Sequence, residues 1–134
     1  MVHNDLVLPI SVKGIVGPTG YVVLLRNERD EWELPGGRIE ASDASPTMCL
    51  QREISEELDL IVAVHEPVHS FRYEPIPDRH VLVMVYRCEI VGSWPDELWH
   101  SNEHQGVTLF ALDSLDEINL PAGYREALKL AGNG

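Results

Sequence analysis

The sequence predicts a mixed α/β (α+β) fold, in which a mixed β-sheet packs against about two helices. Short runs rich in Val, Ile and Leu, bounded by Gly, Pro, Asn or Asp, indicate strands. Residues 46–58 instead carry apolar side chains at helical spacing. Since 134 residues is a usual length for one domain, we expect a single domain over residues 1–134.

The first part of the chain predicts three strands. Residues 6–15 and 21–25 are apolar, and the Gly-Pro-Thr-Gly segment at 17–20 between them is typical of a turn. Residues 27–30 are polar and predict a second turn. A short strand is expected at 31–34, ending in Pro35-Gly36-Gly37.

A helix is expected to begin directly after Ser45 and to end near Leu58. Serine is a favoured N-cap, and Pro46 suits the first helical position. Leu50, Ile54 and Leu58 follow at i, i+4 and i+8, so one side of this helix faces the core.

The second half predicts four more strands and a C-terminal helix. Residues 60–64 and 68–73 are expected to form two strands, with 74–78 as a loop, and 81–90 give the strongest strand signal. Residues 91–105 indicate a polar loop and 107–111 a short strand. Residues 114–118 predict a helical turn, and 121–131 a helix.

The overall composition excludes several classes of protein. A formal net charge of −12 and a pI near 4.7 argue against binding of nucleic acid polymers. No apolar run approaches the roughly 20 residues of a membrane span, and the N-terminus lacks signal-peptide features. The two cysteines, Cys49 and Cys88, are too few for a disulfide framework. We therefore expect a cytoplasmic protein with no membrane association.

Three carboxylates share one face of the predicted helix. Glu53, Glu56 and Glu57 stand at i, i+3 and i+4, which covers about 100° of the helix circumference. Like charges this close repel one another unless a cation lies among them, and Mg²⁺ prefers oxygen ligands. The pattern indicates a metal-assisted reaction on phosphate. A solvated acidic helix face is the alternative interpretation.

The segment from residue 37 to residue 60 resembles the Nudix box, G-x5-E-x7-R-E-U-x-E-E-x-G-U. The flanking residues 32–40, 101–104 and 109–115 also resemble the family pattern, so the likeness covers most of the chain. It implies a Nudix-like fold, a mixed sheet sandwiched between helices. The box positions that match are Gly37, Arg52, Glu53, Ile54, Glu56, Glu57 and Leu60.

The chain departs from the box at three points. Asp43 stands where the family has its first glutamate, and eight residues rather than seven separate it from Arg52. Asp59 replaces the glycine that ends the helix in a left-handed conformation, which Asp adopts less readily than Gly.

The resemblance implies hydrolysis of a diphosphate linked to another group, by attack of water on phosphorus, with Mg²⁺ or Mn²⁺ as cofactor. Cations would neutralise charge on the phosphate oxygens. The implied metal ligands are Glu53, Glu56, Glu57 and the backbone of Gly37. One glutamate would be the general base, with Glu103 in the late loop as a further candidate.

Other residues have implied supporting roles. Arg52 would orient a glutamate through a charge-assisted hydrogen bond. Arg38 and the backbone of Gly36 and Gly37 would contact substrate phosphate. The aromatic rings of Phe71 and Tyr73 are candidates for stacking on a nucleobase, or else belong to the core, and the same alternatives hold for Trp94 and Trp99.

The nature of the linked group is left open. Pro75 resembles a marker of ADP-ribose-type members, but it also suits an ordinary turn, and the short chain resembles members that act on nucleoside triphosphates. We expect a small nucleotide-type substrate, and the apolar strands permit a homodimer. The alternatives are a non-hydrolytic nucleotide-binding or sensing domain on the same fold and, less readily, isopentenyl-diphosphate isomerase chemistry.

Overall fold

A computed structural model describes residues 4–132, which form seven strands and two helices. The elements, in chain order, are β1 (Ile10–Ile15), β2 (Tyr21–Arg26), β3 (Trp32–Glu33), β4 (Gly36–Arg38), α1 (Pro46–Leu58), β5 (Val62–Ile76), β6 (Arg79–Ile90), β7 (Gly106–Ala111) and α2 (Ala122–Gly132). The predicted α/β (α+β) fold class is confirmed.

The strands form two sheets. The first is mixed, in the order β4-β1-β6-β5, with β1 parallel to β6 and the other pairs antiparallel. The second is antiparallel, in the order β3-β2-β7. Since β4 pairs with β1 through Gly36↔Lys13 and Gly37↔Val12, the double glycine lies directly beside a central strand.

Each face of the mixed sheet is covered by one helix. Leu50, Ile54 and Leu58 of α1 lie in one buried cluster, together with Val12 of β1. The second cluster includes Val81, Val83 and Val85 of β6 and the buried residues Tyr124, Ala127 and Leu128 of α2. The alternation of side chains along a strand places them on opposite faces, so both faces are buried.

Both ends of helix α1 lie where the sequence predicts them. Ser45 is the N-cap, and its hydroxyl accepts a hydrogen bond from the Met48 amide at 3.1 Å. Asp59 ends the helix in the left-handed region at φ 54° and ψ 39°, and its N–H donates to the Ser55 carbonyl at 2.9 Å. The predicted start, end and apolar stripe of this helix are confirmed.

The expectation of two strands at 60–64 and 68–73 with a loop at 74–78 is wrong. A single strand, β5, runs from Val62 to Ile76, and the register of its pairing with β6 shifts near Pro67 and again before Ile76. Pro67 and Pro75 lack an N–H, but β5 is an edge strand, where a missing donor can face solvent. The turn is confined to the residues between β5 and β6.

Three smaller differences concern strand and helix limits. The observed strand β1 begins at Ile10, so residues 6–9 of the predicted strand lie outside it. β4 was not predicted, since its two glycines have no strand propensity and it forms only by pairing with β1. Residues 114–118 contain turns but no helix.

Among residues 4–132, no helix is both long and apolar enough to span a membrane.

Candidate active site

The carboxylate of Glu57 lies at the junction of α1 with the double glycine. The Gly36 N–H donates to Glu57 Oε1 at 2.8 Å, and the Glu57 side chain is 2% exposed. Gly36 can donate from this position because it has a φ of +144°, a conformation that L side chains rarely adopt. The glycine turn thus fixes the first oxygen of Glu57.

Glu53 lies against Gly37. A Cβ atom on Gly37 would lie 2.5 Å from Glu53 Oε2, so only a glycine leaves room for this carboxylate against the backbone. Glu53 follows Arg52 on the helix, and Arg52 Nη1 donates to Glu53 Oε1 at 3.2 Å. Two residues of the sequence motif, Glu53 on the helix and Gly37 in the glycine turn, are therefore in direct contact.

The guanidinium of Arg52 forms hydrogen bonds with three carboxylates. Its Nε and Nη2 donate to the two oxygens of Asp43 at 3.2 and 3.1 Å, and its Nη1 reaches Glu53 and the exposed Glu56. Asp43 Oδ2 also accepts from the Glu40 N–H at 2.8 Å. Despite the extra loop residue, Asp43 is therefore tied to the helix that carries the acids.

A buried network of charges lies behind Glu57. His104 Nε2 lies 3.2 Å from Glu33 Oε1 and 3.3 Å from Glu57 Oε2. Lys13 Nζ lies 4.0 Å from Glu33 Oε2, and Asn27 donates to the same oxygen at 3.2 Å. Each of the four ionisable side chains is 13% exposed or less, so the network is shielded from solvent.

The environment moves the pKa values of the two network acids in opposite directions. Burial raises the pKa of Glu57 to about 7, against the opposing effects of Lys13, His104 and the Gly36 N–H. Burial alone would also raise the pKa of Glu33, but Lys13, His104 and Asn27 lower it to about 2. Glu33 therefore carries a fixed negative charge, whereas the pKa of Glu57 lies close to neutral pH.

The pKa of Glu53 and that of His104 are both raised. For Glu53 the main cause is burial, with Glu56 and Glu103 adding like charge and Arg52 opposing. For His104 burial acts in the lowering direction, but the bond to Glu33 and the charge of Glu57 outweigh it.

The donor set fits a hard divalent cation, as two observations indicate. Glu57 Oε2 is buried and has no hydrogen-bond partner among residues 4–132, because His104 is close to it but poorly aligned. The adjacent donors are carboxylate and backbone oxygens, the ligands that Mg²⁺ and Mn²⁺ prefer. Within the same residues no three acidic, histidine or cysteine side chains are arranged as a metal-holding group, and Glu56 instead accepts a hydrogen bond from Arg52 Nη1 at 3.3 Å.

Glu103 and Arg38 lie near these groups but are exposed. Glu103 stands in the turn before β7, close enough for its charge to raise the pKa of Glu53. Arg38 follows Gly37 as the last residue of β4. Its guanidinium forms no hydrogen bond or ion pair with residues 4–132. The catalytic role of Glu103 and the phosphate contact of Arg38 stay predictions.

The two aromatic candidates have different surroundings. Phe71 packs edge-to-face on Tyr124 at a centroid distance of 5.3 Å, and its ring lies against Gly123 of α2. Tyr73 donates its hydroxyl to Glu31 at 2.8 Å and lines a small cavity with Lys13. Phe71 therefore belongs mainly to helix packing, whereas Tyr73 lies at the edge of the site.

The sequence analysis did not name Lys13, Glu33 or His104 as residues of the site. Lys13 is a charged residue within the apolar β1 segment, and Glu33 stands between Trp32 and Leu34. A charge within a buried strand is a signal that could have identified both. Their partnership with Glu57 depends on contacts between distant segments.

The chain also matches a known family. The NUDIX domain pattern matches residues 9–131, nearly the whole chain. The chain therefore belongs to the Nudix family and is a Nudix hydrolase. No curated protein sequence is significantly similar to it.

Solved structures share its fold at low sequence identity. A MutT protein from Methanosarcina mazei Go1 is similar with a TM-score of 0.76 and 24% identity, over 93% of this chain and 94% of that one. An ADP-ribose pyrophosphatase from Streptococcus suis 89-1591 gives 0.68 and 21%, over 93% and 88%. A UDP-X diphosphatase gives 0.77 and 21%, over 98% of this chain but only 66% of that one.

Proposed function

We propose that this protein is a metal-dependent pyrophosphohydrolase that cleaves a nucleoside diphosphate linked to another moiety. The main support is the position of Glu57: its first oxygen is fixed by the Gly36 N–H, and its second is buried and accepts no hydrogen bond from residues 4–132, although His104 Nε2 lies 3.3 Å away. A buried carboxylate oxygen with no partner is costly in a fold with no use for it.

The residues proposed to hold Mg²⁺ or Mn²⁺ are Glu53, Glu56, Glu57 and the backbone of Gly37. When bound, such a cation supplies positive charge that stabilises the negative charge developing on the phosphate oxygens. Glu53 already lies against Gly37 and next to Glu57 on α1. Glu56 can join them by turning away from Arg52, since its side chain is 59% exposed.

The other residues position these acids and hold protons. Arg52 holds Glu53 in place and is itself held by Asp43. These contacts support the orienting role proposed for Arg52. His104 Nε2 is hydrogen-bonded to Glu33 at 3.2 Å and lies 3.3 Å from Glu57, so a protonated His104 would place its positive charge next to both carboxylates. Glu103, at the exposed edge, is the proposed general base because solvent reaches it.

The substrate is proposed as a small nucleotide-type diphosphate, either a nucleoside triphosphate or an ADP-ribose-like compound. Similarity in fold to a UDP-X diphosphatase and to an ADP-ribose pyrophosphatase favours a linked moiety. The net charge of −12 disfavours nucleic acid polymers. A cytoplasmic location and a homodimer stay expectations from sequence, and a non-hydrolytic binding domain is the alternative function.

The test is a Mg²⁺-dependent hydrolysis screen over nucleoside triphosphates, ADP-ribose, NADH and dinucleoside polyphosphates. Glu57→Gln removes a ligand charge at nearly constant side-chain volume, so we expect kcat to fall by about 100-fold or more while the circular dichroism spectrum stays unchanged. The matched control is Glu126→Gln, an exposed glutamate on α2, which should leave kcat unaltered.

Two outcomes would contradict the proposal. Turnover of Glu57→Gln within a factor of two of the unaltered enzyme would show that this carboxylate holds no essential cation. Saturable binding of ADP-ribose or a nucleoside triphosphate without any release of product, with either metal, would favour the sensing domain instead.

A further inference from the structure

A second cavity lies on the opposite side of the mixed sheet from helix α1. Its volume is about 350 Å³, and it opens between helix α2 and residues 112–116, which follow β7. Helices α1 and α2 pack on opposite faces of the sheet. None of the residues proposed to hold the cation or the substrate lines this cavity. The proposed hydrolysis therefore makes no use of it.

The floor of this cavity is apolar. It contains Leu112, Leu115 and Leu128, of which Leu115 and Leu128 are buried and Leu112 is 43% exposed. The Leu112 N–H donates to the Gly20 carbonyl at 2.9 Å, so the backbone is fixed where the side chain is open to solvent. An occupant with an apolar body would remove this leucine surface from water, which favours binding.

Two cations of helix α2 stand at the rim of the cavity. Arg125 and Lys129 are at i and i+4 and therefore lie on one face of the helix. Arg125 Nη1 donates to the Leu115 carbonyl at 2.8 Å, and Nη2 donates to the Ile118 carbonyl at 3.3 Å. These two bonds hold the guanidinium in place before any ligand binds, and its other N–H groups can still donate.

The rim is basic although the molecule as a whole is acidic. The sequence has a net charge of −12, whereas Asp116 is the one acid that lines the cavity beside Arg125 and Lys129. Asp116 is fully exposed and lies 3.8 Å from Arg125 Nη1, so water weakens this ion pair. Lys129 is exposed and has no ion-pair partner among residues 4–132. The rim therefore favours an anionic group.

Size and lining together restrict the occupant. At ~30 Å³ per water, the space holds roughly a dozen waters, which is close to the bulk of an organic acid of about eight to ten carbon atoms. An inorganic anion would lose hydration against the leucines without gaining donors there. A second protein copy is disfavoured, because Leu112 alone among the three leucines is open to solvent, whereas a stable interface covers ~800 Å² per partner.

We propose that this cavity binds a small organic acid with one carboxylate and an apolar body. The carboxylate lies between Arg125 and Lys129, since the planar guanidinium matches the two oxygens of a carboxylate. The apolar body covers the three leucines of the floor. This second binding site is separate from the proposed site of hydrolysis and does not depend on that activity.

Phenylpropionate, which has this size and chemistry, is the probe in the first experiment. It is titrated into the protein and followed by ¹H–¹⁵N NMR. We expect saturable shifts at the amides of Leu115, Leu128 and Lys129. The Kd should be about 5-fold weaker in Lys129→Met, which loses one charge-assisted hydrogen bond at an exposed site. Arg79→Met removes an exposed cation at the start of β6 and is the matched control, which should bind as the unaltered protein does.

Two further ligands separate charge from apolar contact. Phenylpropionamide has the same apolar body without the charge, and it should bind about 10-fold more weakly than the acid. Orthophosphate has the charge without the apolar body, and it should give no saturable shifts at the three amides. Equal binding of the amide, saturable binding of orthophosphate at these amides, or equal Kd values for Lys129→Met and Arg79→Met would each overturn the proposal.

The second experiment tests a second copy of the chain as the occupant. Sedimentation velocity is measured for the unaltered protein and for Leu112→Ser, which changes an exposed side chain of the floor. We expect Leu112→Ser to weaken the binding of phenylpropionate and to leave the oligomeric state as it is. A dimer that both Leu112→Ser and phenylpropionate dissociate would overturn the proposal, because the cavity would then be covered by the partner copy.

Discussion

Two adjacent glycines perform different tasks at the site. A Cβ atom on Gly36 would lie 1.9 Å from the Val12 carbonyl oxygen, a backbone atom that cannot move aside. A Cβ atom on Gly37 would instead meet the carboxylate of Glu53, the end of a flexible side chain. The first glycine is therefore required by the fold, and the second by the position of Glu53, a proposed metal ligand.

Alanine substitution separates these tasks. Gly37→Ala displaces Glu53, so we expect a loss of about 10- to 100-fold in kcat with little change in Tm. Gly36→Ala must move the backbone of β1, so we expect both a large drop in Tm and a loss of activity. Differential scanning fluorimetry and the hydrolysis assay measure both. A normal kcat for Gly37→Ala would show that the position of Glu53 is not needed for activity.

Glu33 makes stability depend on pH. Its pKa in the folded protein, about 2, lies below the ordinary 4.5, so its contribution is complete above pH ~5 and is lost as the pH falls towards 2. The raised pKa of its partner His104 contributes fully below pH ~6.5, and this contribution is lost as the pH rises through the raised value. Glu33 and His104 together therefore stabilise most near pH 5 to 6, whereas the raised pKa of Glu57 acts in the opposite direction above pH ~4.5.

Urea unfolding of Glu33→Gln tests this dependence. The free energy of unfolding should fall by on the order of 3 kcal/mol near pH 5 to 6, following the size of the pKa shift of Glu33. The difference from the unaltered protein should shrink when the pH is lowered to 3. A difference that stays constant from pH 6 to pH 3 would mean that Glu33 is not held charged by its neighbours.

Among the secondary-structure elements, helix α1 has a favourable N-terminus and a strained C-terminus. Its N-terminus has a favoured Ser-Pro start, and its apolar stripe is fully buried. Its C-terminus places Asp59 at φ 54°, where glycine would be unstrained. The helix that carries the acids is therefore less stable at its end than its sequence could make it.

Asp59→Gly should stabilise the protein. Relief of the left-handed strain is worth about 0.5–1 kcal/mol, which raises Tm by about 2–5 °C at this chain length. Asp59 is exposed, so no packing is lost. Calorimetry should show the opposite sign for Asp59→Ala, which keeps a Cβ atom and loses the polar side chain. A lower Tm for Asp59→Gly would mean that the carboxylate stabilises the helix end.

At the scale of the whole molecule, charge is strongly unbalanced. The sequence has 22 acidic and 10 basic residues, and three of the acids crowd on one face of α1. Self-repulsion of this kind destabilises a compact state, and a bound cation relieves it locally. Stability and metal binding should therefore be linked in this protein.

Thermal unfolding with Mg²⁺ tests that link without any substrate. At a Mg²⁺ concentration tenfold above Kd, the folded state gains about 1.4 kcal/mol, and Tm should rise by about 5 °C. Glu57→Gln should show little of this rise, whereas equal ionic strength from NaCl should not reproduce it in the unaltered protein. An equal Tm increase in both proteins would place the cation elsewhere.

The α/β fold class, the limits and N-cap of helix α1, and the set of acids at helical spacing were all predictable from the sequence. These features depend on local periodicity, capping and turn chemistry, which neighbouring residues express without help from the rest of the chain. The extra residue before Arg52 left the role of Asp43 undetermined, because spacing alone does not show whether a side chain can bridge a loop.

Tertiary structure decided the rest. The short strand β4 and the continuous strand β5 exist because β1 and β6 supply partners that no local pattern reveals. Likewise, Lys13, Glu33 and His104 come from three distant segments, and only their burial together makes the network with Glu57. The cavity between helix α2 and residues 112–116 arises in the same way, because contacts between separate segments are set by the packing of the whole chain.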